Sequence, residues 1–297
     1  MVSDDRDEFA FLAEEAAEVG APAGLLAVRR VGVTTAAGAV SALLWGDSPD
    51  LTLLHGGGLN AHTWDTTILA LGRRALAVDL PGHGDSAWRD DFDYAPRPNA
   101  RAVATVIDAV APGTRHTVVG QSLGGVTAIA LAESRPDLVE RLVIVDVSPG
   151  LRAEDATQVA DFLAGPQVFG SREEIVEKAL AAGIGFSRRA LARGVALNTR
   201  VRDDGTIVFK HHLADPPPGA RLNIDFRYLW PALENTTVPV LLVHGTHGFL
   251  TPETVGEFRS RVPRAEIVEI EAGHNIQEHQ PAALAAALAS FLTGSAA

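Results

Sequence analysis

The chain has 297 residues, enough for one large α/β domain with an insertion, or for two small domains. Apolar residues make up 46%, which supplies a sizeable core, and the formal net charge of -12 argues against nucleic acid or an anionic membrane as the main partner. There is no cysteine, which excludes disulfides, thiolate metal sites and a cysteine nucleophile.

The first residues, Ser3 to Glu8, are acidic and lack an apolar signal core. Phe9 to Val19 then reads as an amphipathic helix, and residues 1–24 as an N-terminal appendage closed by Gly20-Ala21-Pro22-Ala23-Gly24. Leu25 to Val33 and Ala39 to Trp45 read as two antiparallel strands. Leu51 to Leu54 is a short buried strand running into His55-Gly56-Gly57-Gly58. A helix is expected from about Trp64 to Leu71, a strand over Ala75 to Val78, and a helix over Pro98 to Val110. His116 to Val119 is a strand, Val126 to Ala132 a helix, and Arg141 to Asp146 a further strand.

The rhythm changes after Gly150. Up to about Pro231 only helical patches are legible, such as Ala156 to Leu163 and Arg172 to Ala182. Arg200, Arg202, Lys210, His211 and His212 put positive charge there, read as a solvated face. Alternation resumes with the strand Val240 to Val243, a helix from Pro252 to Arg261, the strand Ala265 to Ile270 and a final helix, Pro281 to Leu292. That last helix is too short to span a bilayer, so no membrane span and a cytoplasmic location are expected. The alternation predicts a mostly parallel sheet covered on both faces. The division expected is a core of 25–149 and 232–297, with 150–231 as a helical lid over the edge of the sheet where open α/β sheets carry their sites.

Strand, Gly120-Gln121-Ser122-Leu123-Gly124, helix is the setting of a nucleophile elbow. Glycine on either side lets the chain turn tightly and leaves the Ser122 hydroxyl exposed, with the positive end of the new helix at the site. A serine hydroxyl needs a base. His274, on the loop between the last strand and the final helix, is in place to be that base, whereas His279 reads as a solvated residue at a helix start. An oxyanion needs two backbone donors. The amide of Leu123 supplies one, and the amide of Gly57, with Gly58 second, supplies the other.

With His55-Gly56-Gly57-Gly58, Asp79-Leu80-Pro81-Gly82-His83-Gly84, Gly120 to Gly124 and Gly273-His274 in this order, the chain resembles the α/β-hydrolase fold family from about Leu25 onward. In His55 to Asp65, Ala75 to Trp88 and Arg141 to Pro149 it is similar to actinobacterial serine carboxylesterases of that fold. The resemblance implies an α/β-hydrolase fold, a structural role for Asp79 and His83, and hydrolysis of a small-molecule carboxylic ester without a cofactor or metal. Thioesters, lactones and activated diketones use the same apparatus, and a non-catalytic ligand receptor can be built on the same scaffold.

The family places its acid in a G-x-x-D-x-x-x-P pattern after the lid. Here the frame is Gly245 to Pro252 and the acid position holds Gly248. Asp146, at the end of the strand after the elbow helix, is the leading substitute. Its carboxylate could instead only cap the following turn. Glu271, on the loop of His274 itself, is the weaker candidate, and His247 has no assigned role.

Overall fold

The computed structural model describes residues 7–152, 167–182, 185, 187–218 and 225–294. Eight strands form the main sheet: β1 (Val28–Thr35), β2 (Gly38–Trp45), β3 (Leu51–Leu54), β4 (Ala75–Val78), β5 (His116–Gln121), β6 (Val139–Val145), β10 (Val240–His247) and β11 (Glu266–Gly273). They lie in the order β1-β2-β4-β3-β5-β6-β10-β11. The β1–β2 and β2–β4 pairs are antiparallel, and every other pair is parallel.

Consecutive strand residues point to opposite faces. Leu54, Val118 and Ile144 join the core on one side, while Leu53, Val119 and Val143 join the core on the other. Both faces are covered, so the central strands β3, β4 and β5 are buried throughout rather than alternating. The helix α4 (Leu123–Ser134) leaves the elbow and is buried from Gly124 to Ala132. It packs with α3 (Pro96–Val110) on one face. The opposite face carries α2 (Asp65–Leu71) and, near the C-terminus, Pro281–Thr293.

An N-terminal helix, α1 (Leu12–Glu18), sits on that second face with Ala16 buried in its core. Beneath it His62 lies 2.7 Å through Nδ1 from Asp65 Oδ2 and 3.1 Å through Nε2 from Glu8 Oε2. Burial opposes charge on His62, but the Asp65 charge and the hydrogen bonds to Asp65 and Glu8 outweigh it and push the imidazole up to about 10. The folded state thus keeps a proton that the unfolded chain releases above 6.5. The stability this contributes is complete below that value and is lost as pH rises towards about 10. Glu15, pushed up to about 8 by burial and then by the Asp65 charge, acts in the same sense. The urea midpoint is therefore expected to fall between about pH 6.5 and about pH 9.5, and His62→Gln to flatten that fall. A wild-type midpoint constant over this range contradicts the account.

Between β6 and α7 (Trp230–Asn235), the chain builds α5 (Arg172–Ala181), α6 (Arg188–Leu197) and a three-stranded antiparallel sheet, β7 (Val168–Phe169), β9 (Ile207–Phe209) and β8 (Thr199–Val201). This small sheet departs from the all-helical expectation. Its strands are two or three residues long, too short for a period to be read. Phe169, Ile175, Val176, Val195, Ile207 and Phe209 form its own core. The expected helix Ala156 to Leu163 lies outside the described residues. The solvated positive face is formed only in part: Arg200 and Arg202 are exposed. His211 is buried and neutral, its imidazole held down to about 3 by burial, and Lys210 pairs with Asp85 at 3.0 Å.

Two further helices, α8 (Pro252–Arg261) and the short α9 (Ile276–His279), precede the final helix α10 (Pro281–Thr293). Among the described residues no helix is long and apolar enough to cross a membrane.

Candidate active site

Register brings the candidate residues to one rim. Leu54 pairs with Gly120 and Gln121 with Val145, so the chain leaves β3, β5 and β6 at one level. Val145 pairs with Val243, and His247 with Gly273, which carries the level across to β10 and β11. Beyond these pairs stand His55-Gly56-Gly57, Ser122, Asp146, Gly248 and His274.

Ser122 has φ 51° and ψ -118°, a conformation L-residues rarely adopt. Among the described residues four non-glycine residues have positive φ, and two of them are Ser122 and Asp146. Such strain persists only where surrounding structure holds it. At Ser122 the packing of α4 on β3 does so. A Cβ on Gly124 would stand 2.1 Å from the Leu54 carbonyl oxygen and 2.7 Å from that of His55. Gly124→Ala is expected to lower stability by about 2–3 kcal/mol. A urea midpoint within error of wild type would contradict this.

Asp146 is fully buried and is aimed by two amides, Gly245 N–H at 3.0 Å and Phe249 N–H at 2.8 Å. His274 Nδ1 stands 2.7 Å from Asp146 Oδ2 and donates to it. The Phe249 ring stacks on the imidazole, centroids 3.6 Å apart and 13° from parallel. Gly248 has a direct physical reason. A Cβ there would stand 2.3 Å from both Asp146 carboxylate oxygens, so a side chain at this position and the Asp146 carboxylate exclude each other. Glu271 and His247 are exposed and form no hydrogen bond or ion pair with His274 among the described residues.

Gln121 was not singled out by sequence and holds the other side of the imidazole. Its amide Nε2 lies 2.9 Å from His274 Nε2 and 3.3 Å from the His274 carbonyl oxygen. With Nδ1 donating to Asp146, Nε2 is an acceptor, and the Gln121 amide fills its lone pair. The Ser122 hydroxyl has no hydrogen-bond partner among the described residues, so a Ser122–His274 hydrogen bond would need His274 to exchange Gln121 for Ser122. Catalytic hydrogen bonds commonly tighten only when substrate binds. His279 is also not as expected. It accepts from the Gly273 amide at 3.2 Å, and burial lowers it to about 4.

The glycine loop is braced from below. His55 is fully buried, its Nδ1 2.7 Å from the Gly56 carbonyl oxygen and its Nε2 accepting from Leu80 N–H at 2.9 Å. Burial keeps it down at about 4, hence neutral. Asp79 accepts from Ala61 N–H at 2.7 Å, Asp85 N–H at 3.1 Å and Arg30 at 2.7 Å. From above, Asn198 donates to the Gly58 carbonyl oxygen at 2.6 Å, tying the inserted segment to the same loop. The amides of Gly57 and Leu123 donate to no acceptor among the described residues. A cavity of about 790 Å³ opens over Ser122 and His274, lined by both glycine-loop and inserted residues.

A mostly parallel sheet with this strand order, a serine on a strained elbow and a histidine–carboxylate pair at its carboxyl rim define a class. The chain belongs to the alpha/beta hydrolase family, whose model matches residues 53–287. It is 43% identical to the esterase Rv0045c of Mycobacterium tuberculosis over 96% of each chain. A solved structure of that esterase superposes with a TM-score of 0.85 at 40% identity, covering 98% of this chain and 100% of that one. A pimeloyl-[acyl-carrier protein] methyl ester esterase of Nitrosomonas europaea is 29% identical over 75% of this chain and 87% of its own.

Proposed function

We propose that this protein is a serine hydrolase of small carboxylic esters, working through an acyl-enzyme. The relation to the Mycobacterium tuberculosis esterase supports the reaction class, and one observation carries the mechanism. That is the Asp146–His274 hydrogen bond of 2.7 Å at the rim where the Ser122 elbow emerges.

In this reading Asp146 fixes the tautomer of His274 with its proton on Nδ1 and stabilises the imidazolium as it forms. His274 Nε2 takes the proton of Ser122 as Oγ attacks the ester carbonyl. The amides of Gly57 and Leu123 hold the oxyanion, with Gly58 next in the loop. His274 then passes its proton to the departing alcohol. A water enters, gives a proton to His274 and attacks the acyl carbon, and the collapse returns that proton to Ser122 and releases the acid.

The test is steady-state turnover of short p-nitrophenyl esters, together with labelling by a serine-directed phosphonate and location of the adduct by mass spectrometry. Turnover with the adduct on Ser122 supports the reading. Absence of both would point to a non-catalytic receptor on this scaffold.

A further inference from the structure

Gln121 is the last residue of β5 and is fully buried. Its side-chain amide lies between the glycine loop and the imidazole. A Cβ on Gly56 would stand 2.2 Å from Gln121 Oε1, so the bare backbone at that position is what lets the amide lie there. All three partners of Nε2 are acceptors: His274 Nε2 at 2.9 Å, the His274 carbonyl oxygen at 3.3 Å and Asn275 Oδ1 at 3.4 Å. Asn275 is itself turned by Glu278, whose Oε2 accepts from Asn275 Nδ2 at 3.2 Å and so leaves Oδ1 for Gln121. Gln121 Oε1 has no donor among the described residues. The acceptors around Nε2 therefore fix the amide with its hydrogens towards His274.

An NH2 group has two hydrogens, and here one acceptor is in surplus. The shortest contact goes to the imidazole lone pair, the one that the Ser122 proton must enter. The amide can release that lone pair and still place both hydrogens, on the His274 carbonyl oxygen and on Asn275 Oδ1. Neither of these belongs to the ring. A turn of the imidazole about its bond to Asp146 thus breaks one hydrogen bond of Gln121 and leaves it no unmet donor.

Resting on the serine-hydrolase reading, we propose that Gln121 is a positioning residue that holds His274 in a resting state. Its amide occupies the Nε2 lone pair while the cavity is empty. Ser122 is activated only when a bound ester fixes its hydroxyl and the ring exchanges the amide for it. A side chain that merely buttressed the imidazole would speed the first step by its presence. One that occupies the lone pair slows that step, and its removal speeds it.

The rate at which Ser122 is phosphonylated tests this. With p-nitrophenyl ethyl methylphosphonate, Oγ bonds to phosphorus, p-nitrophenolate leaves and His274 takes the hydroxyl proton. The second-order rate constant therefore reports activation of Ser122 without the later steps of turnover. Gln121→Met keeps an unbranched side chain of similar length and removes the donor. It is expected to raise that constant at least about threefold, because one neutral hydrogen bond no longer has to be exchanged. The burst of p-nitrophenol from p-nitrophenyl acetate is expected to quicken alike. An unchanged or lower constant, which a purely structural Gln121 would give, overturns the proposal. Should the variant not fold, crystal structures of the wild-type enzyme, free and phosphonylated, decide. The contact between Gln121 Nε2 and His274 Nε2 is expected near 2.9 Å in the free enzyme and beyond about 3.5 Å in the adduct. Its absence from the free enzyme, or its persistence in the adduct, overturns the proposal. Labelling of Ser122 without a gain in Gln121→Met sinks the resting state alone. No turnover of any ester and no phosphonate label on Ser122 sinks the hydrolase reading, and the resting state with it.

Discussion

Ser122→Ala is expected to reduce kcat for short esters by about five orders of magnitude while leaving the fold in place. The loss is this large because neither chain neighbour of Ser122 can replace the hydroxyl. The adjoining side chains are Gln121 and Leu123, and neither is a nucleophile. Removing one oxygen from an elbow held by packing beneath it leaves the turn intact, so circular dichroism and the urea midpoint are expected to match wild type. The phosphonate label should vanish together with turnover. Retention of more than about a hundredth of the wild-type rate would remove Ser122 from its role.

Asp146→Asn is expected to cost about four orders of magnitude in kcat, and Glu271→Gln less than about threefold. The asymmetry follows from position. An amide at position 146 cannot accept from Gly245, Phe249 and His274 as the carboxylate does, because its NH2 group faces one of those donors. His274 then turns or takes the other tautomer, and Nε2 no longer presents a lone pair. Glu271 is exposed and forms no hydrogen bond with the ring among the described residues. The Gly248 geometry allows a sharper experiment. Gly248→Asp alone places a second carboxylate where a Cβ already meets Asp146 at 2.3 Å, and it is expected to inactivate. Combined with Asp146→Ser, the same change is expected to recover at least about tenfold over Asp146→Ser alone, since position 248 then faces the space the native carboxylate filled. An active Asp146→Asn with an inactive Glu271→Gln would reverse the assignment of the acid.

The runs at 51–54, 75–78 and 116–119 could be read as buried strands because β-branched or apolar character and chain breaks are local properties. The elbow and the glycine loop were legible for the same reason, since a tight turn demands glycine wherever it is made. His274 was found from its place after the last strand. The two sides of that histidine were less accessible. Gln121 sits inside the serine motif as an unspecified residue, and only the close approach of two segments 153 residues apart gives it a partner.

The sequence by itself determined the layered α/β architecture, the serine elbow and the histidine loop, each written in the periodicity or turn chemistry of a short stretch. Only the tertiary structure decided which carboxylate reaches the imidazole. Asp146 ends β6 and Gly248 follows β10, and their competition for one space exists because those two strands are neighbours in the sheet. That adjacency is set by packing between distant segments, so the glycine that looks like a missing acid in the sequence is, in the fold, the room the Asp146 carboxylate needs.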